Sequence, residues 1–104
     1  MHSKIKQLKD GRFKFALNDE LREVLVKALA ACLHFDGEEM EDYLFALLRE
    51  TLDQLQEQEQ PKLQRSQVLA MMRYTGSYID EPTQLVILDL LTGGKPLLSL
   101  SNKD

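Results

Sequence analysis

Glu20 and Glu23 stand three residues apart, and so do Glu39 and Asp42. On a helix that spacing puts both members of a pair on one face, and paired carboxylates are the hard oxygen ligands that Mg²⁺ takes beside a phosphate-bearing substrate. Two helices must carry them. Asn18 is a good N-cap, Asp19 and Glu20 fall in the first turn where the helix dipole favours anions, and Leu21, Val24, Leu25, Ala28, Leu29 and Cys32 recur at helical spacing. His34 to Gly37 ends that helix. Asp36, with Glu39 three residues on, reads as the capping box of a second helix running from about Glu38 to about Gln58. Its apolar stripe includes Met40, Tyr43, Leu44, Leu47, Leu48, Thr51, Leu52 and Leu55.

The order Glu-x-x-Glu then Glu-x-x-Asp, the second motif lying inside Glu38-Glu39-Met40-Glu41-Asp42-Tyr43-Leu44-Phe45, resembles the metal-binding pattern of the MazG-type all-α nucleoside triphosphate pyrophosphatases, over about a quarter of the chain. The resemblance implies Mg²⁺-dependent hydrolysis of a nucleotide to its monophosphate and pyrophosphate, with Glu20, Glu23, Glu39 and Asp42 as ligands. Helix packing makes a different demand. Two antiparallel helices joined by a short turn set the start of one beside the end of the other, so first-turn acids on both stand on the order of 20 Å apart at ~1.5 Å per residue. By that argument the four carboxylates are solvated helix-start acids and no cofactor is expected.

Other chemistry finds little support. Cys32 is the only cysteine, lies in an apolar helical run and has no neighbouring positive charge to activate it, which fits a buried thiol in a reducing cytoplasm. Cys32, His34 and His2 give no zinc spacing, and the serines have no evident partner base. Thr92-Gly93-Gly94-Lys95-Pro96 lacks the P-loop pattern and reads as a helix stop.

Charge is distributed in blocks. Met1–Leu17 holds five bases and one acid, Asn18–Gln60 twelve acids and three bases, and the remainder is close to balance, for a net −4. The basic block reads as a β-hairpin, because Asp10-Gly11 supplies the residues of a type I′ turn. Centred there, Leu8 opposes Phe13 and Lys6 opposes Phe15. Leu8, Phe13, Phe15 and Leu17 then share an apolar face with Lys6 at its margin, and Gln7, Lys9, Arg12 and Lys14 share a basic one. Pro96–Ser101 is the candidate for a further strand.

A third helix is expected from about Pro61 or Ser66 to Thr75. A fourth begins near Asp80, with Leu85 to Leu91 apolar nearly all round. The expected architecture is therefore α+β, mostly α: about four helices with a small antiparallel sheet. Residues 1–104 form one domain, divided as a basic hairpin (1–17), an acidic helix pair (18–60) and C-terminal helices with the strand candidate (61–104). The hydrophobic content of 43% suffices for one modest core, and no uncharged run is long enough to span a membrane. The N-terminus has no apolar stretch of the secretory kind.

Function is expected to be non-enzymatic: interaction or regulation through a protein-binding surface. One such surface is the basic hairpin face (Lys9, Arg12, Lys14), suited to an acidic partner. The other is the fourth helix with Met71, Met72, Tyr74 and Tyr78, suited to a homodimer. The first alternative is a Mg²⁺-dependent pyrophosphatase-like hydrolase using the helical carboxylates, and the second is nucleic-acid binding through the hairpin, disfavoured by the negative net charge and by a short ribbon without an aromatic platform.

Overall fold

The computed structural model describes residues 2–93, so the strand candidate at Pro96–Ser101 lies outside the described residues. The elements in order are β1 (Lys4–Gln7), β2 (Phe13–Ala16), α1 (Asp19–Asp36), a 3-10 turn (Gly37–Glu39), α2 (Asp42–Glu57), β3 (Lys62–Leu63), α3 (Arg65–Tyr74), a second 3-10 turn (Gly76–Tyr78) and α4 (Glu81–Thr92). The fold is α+β and mostly α. Its antiparallel sheet has the order β1-β2-β3.

The hairpin differs from the expected one by a single residue. Leu8 N–H donates to Arg12 C=O at 2.7 Å and Gly11 N–H to Leu8 C=O at 3.0 Å, so the loop is three residues, Lys9-Asp10-Gly11. Only Gly11 takes a positive φ, +93°, which corresponds to a type I turn followed by a glycine bulge rather than to type I′. The longer loop shifts the register, pairing Ile5 with Phe15 and Lys6 with Lys14. A shift of one residue reverses every side chain of β1, and the hydrophobic pattern decides the outcome. Ile5 faces the core beside a fully buried Phe15, and Lys4 and Lys6 face outward.

Helix α1 begins as expected: Asn18 Oδ1 accepts from Leu21 N–H at 2.8 Å, and Ser3 Oγ accepts from Asn18 N–H at 2.8 Å. It continues to Asp36, and the chain then takes a 3-10 turn instead of entering α2 directly. The expected capping box does not form. Asp36 accepts a hydrogen bond from Tyr78 O–H at 2.9 Å instead, and a Cβ on Gly37 would stand 2.7 Å from the Phe45 ring, so only glycine lets the ring lie against this turn.

The segment after α2 is held by two polar devices. Arg22 on α1 donates from Nη1 to the carbonyls of Leu55 (2.6 Å) and Gln58 (2.7 Å) and from Nη2 to that of Glu59, satisfying acceptors that the end of α2 leaves open. Gln67 on α3 is fully enclosed yet fully used. Its Nε2 donates to Thr51 Oγ1 at 3.0 Å and Gln54 Oε1 at 2.5 Å, and its Oε1 accepts from Gln64 N–H at 2.8 Å. Between these devices runs β3. Phe15 N–H donates to Pro61 C=O at 2.9 Å, and Phe13 pairs with Leu63.

One core gathers Phe15, Leu25, Leu29, Leu48, Leu55, Leu63, Met71 and Ile87. In α4, capped by Asp80 at its start and Gly93 at its end, only Ile87 is buried; Leu85 and Val86 are 55% and 51% exposed. Because removing the Gln67 amide strands polar partners in a dry site, Gln67→Leu is expected to lower stability by about 2 kcal/mol, and Gln54→Ala, nearer solvent, by less. Urea melts of the two variants check the order.

Candidate functional site

Residue register builds a row of like charges. Lys14 lies on the central strand, paired with Lys6 on β1 and with Lys62 on β3. Strand alternation, with Ile5, Phe15 and Leu63 buried, puts all three lysines on the outer face of the sheet. Lys4 adds a fourth, one step along β1 and opposite the small Ala16. Among the described residues none of these four takes part in an ion pair; the pairs present are Arg12–Asp10, Lys27–Glu23 and Arg49–Asp53.

The basic surface anticipated from sequence is thus redrawn. Lys9 is in the hairpin loop. Arg12 is bound to Asp10, donating Nε–H to Oδ2 at 2.8 Å, and the Arg12 backbone N–H and guanidinium together hold the Asp10 carboxyl below its usual range. Of Lys9, Arg12 and Lys14, only Lys14 belongs to the row. Lys6 and Lys62 were missed. The signal for Lys6 was the alternation Lys4-Ile5-Lys6, which marks Ile5 as the inward residue, whereas Lys62 reaches its place only through a pairing remote in sequence.

The second anticipated surface separates as well. Met71 is fully buried and belongs to the core, a correction that follows from its inward position on α3; Met72 packs partly against the same core. Tyr74 is exposed, with Arg73 over its ring at 5.6 Å. Tyr78 is half-buried, its ring near parallel to that of Phe35 with centroids 6.4 Å apart, and its hydrogen bond to Asp36 raises the pKa of the phenol. An apolar groove of about 790 Å³ runs between α1 and α4, with Leu21, Val24, Val86 and Leu90 in its walls and Glu20, Glu23 and Lys27 at its rim.

The four carboxylates do not come together. Glu20 and Glu23 are near the start of α1, while Glu39 and Asp42 flank its far end, on the order of 20 Å away by helix rise. Glu23 pairs with Lys27 at 2.8 Å, and that hydrogen bond lowers the pKa of its carboxyl. Among the described residues no three His, Cys, Asp or Glu side chains are grouped to hold a metal ion. Cys32 is buried and donates to Tyr74 C=O at 3.3 Å; burial, with the nearby Asp36 charge, pushes its thiol pKa up and away from nucleophilic use.

Comparison of the chain with protein-family models, curated proteins and solved structures finds no match. Mg²⁺ is expected to leave the melting temperatures of wild type and Glu39→Ala unchanged. A Mg²⁺-dependent stabilisation abolished by Glu23→Ala and by Asp42→Ala alike would show that the pairs meet.

Proposed function

We propose that this chain is a small non-enzymatic interaction domain of the cytoplasm, whose working surface is the lysine-bearing outer face of its sheet and whose partner is an acidic protein. The supporting observation is the row Lys6–Lys14–Lys62. Like charges set directly opposite on neighbouring strands lower stability, so a row of three without ion-pair partners among the described residues is a feature that folding does not ask for. An acidic partner would supply those counter-charges and steer its own approach.

A protein suits the face better than a nucleic acid does. Alternation turns Phe13 and Phe15 inward, leaving the outer face without an aromatic platform for bases, and the acid-rich helices give the chain a net charge of −4 that repels a polyphosphate. The fully buried thiol of Cys32 is consistent with a reducing compartment.

Immobilised poly-glutamate tests the reading. Wild-type protein is expected to be retained at low salt and released as salt screens the contact, and the triple variant Lys6→Gln, Lys14→Gln, Lys62→Gln to pass through, with Lys9→Gln eluting as wild type does. Elution of the triple variant together with wild type would remove the sheet face from consideration.

A second reading is favoured by the exposure of Leu85 and Val86 beside the α1–α4 groove: self-association through α4. Twofold symmetry would let that apolar strip cover itself. Light scattering at micromolar concentration is expected to give the mass of a dimer for wild type and of a monomer for Val86→Glu. A wild-type monomer would sink this reading and leave the sheet face untouched.

A further inference from the structure

From the same lysine row we infer the form of the partner: the sheet face takes an acidic α-helix laid across the strands, with carboxylates at positions i, i+3 or i+4, and i+7. This rests on the reading of the sheet face as the working surface and concerns what that surface selects. The three lysines belong to three different strands, so the row runs perpendicular to them. Neighbouring strands lie about 4.8 Å apart, which puts the outer two lysines about 10 Å apart at the backbone.

A helix rises ~1.5 Å per residue, so carboxylates from i to i+7 span about 10.5 Å along one face and meet the three lysines in step. In an extended chain, same-face carboxylates recur every second residue, about 6.8 Å apart, and three of them span about 14 Å. That spacing overshoots the row. The borders of the row fit a helix as well. Ala16 follows Lys14 on the outer side of β2 and is opposite Lys4, leaving low ground beside the row, and Arg12 on the other flank is already neutralised by Asp10. The free positive charge on the strands is therefore a line across the sheet with Lys4 beside its β1 end, and the line's middle member, Lys14, is half-buried and held by the central strand.

Two synthetic peptides of about four helical turns test this. Each has an alanine and glutamine background and three glutamates, one with the glutamates at i, i+4 and i+7, the other with them spread around the helix. Fluorescence anisotropy at low salt is expected to show the first binding about tenfold more tightly than the second, and losing that advantage on Lys14→Gln but not on Lys9→Gln. Equal binding of the two peptides, with wild type still retained by poly-glutamate, would overturn the helical partner and spare the acidic-surface reading. No binding of either peptide, with no retention by poly-glutamate, would overturn both. Tighter binding of a single-stranded oligonucleotide than of either peptide, lost on Lys14→Gln, would replace the protein partner with a nucleic acid.

Discussion

The amide of Gln67 is the point on which the arrangement of the rest depends. A buried amide has to be satisfied, and here both its donors and its acceptor are used: Thr51 and Gln54 on α2 take the donors, and the Gln64 backbone at the start of α3 supplies the acceptor's partner. Those bonds fix the angle at which α3 leaves α2. Arg22 acts at the other side of the same junction, closing the carbonyl end of α2 onto the start of α1. Lys62 and Leu63 lie in the span between the two devices and are left with one place to go, the open edge of β2. The third lysine of the row thus owes its position to hydrogen bonds on either side of it, from the Gln67 amide in the interior and from the Arg22 guanidinium at the end of α2.

Much of the fold was legible because its signals are local. Asn18 and Asp80 cap helices where their short polar side chains lead a run of apolar residues, Gly93 closes α4, and the buried positions of α1 follow the spacing of Leu21, Leu25, Ala28, Leu29 and Cys32. The hairpin was read from the correct residues, Asp10 and Gly11, yet with the wrong register, because Asp-Gly serves a two-residue loop and a three-residue loop alike. What separates them is the match between Ile5 and Phe15 across the strands. The capping box at Asp36 and Glu39 failed for a tertiary reason: Phe45 packs on Gly37, and Tyr78 claims the Asp36 carboxylate.

The candidate site was less legible than the fold, since it consists of neighbours that the chain order does not disclose. Lys14 was recognisable from its own strand, but Lys6 needed the register and Lys62 needed a strand of only two residues, too short for any period to show. The same limit explains α4. Its composition is apolar nearly all round, and nothing in it announces that Ile87 alone would be buried while Leu85 and Val86 face outward. Charge segregation, by contrast, survives into three dimensions, with most acids on or beside the helices and, among the described residues, a row of lysines outside any ion pair on the sheet.

The pairing of β2 with β3 also has a kinetic side. The hairpin joins residues close in sequence at small loop-closure entropy, whereas the pairing of Phe13 with Leu63 closes a loop that contains two helices and costs more. The lysine row therefore depends on a pairing between residues far apart in the chain. It is also the first feature to be lost if the short β3 edge opens locally, because two residues of ladder offer little resistance to fraying. An occupant that bridges all three strands would gather that opening into the cooperative unfolding of the whole domain, so the amide proton of Leu63, whose pair with Phe13 is a hydrogen-bonded one, would exchange at the pace of the core.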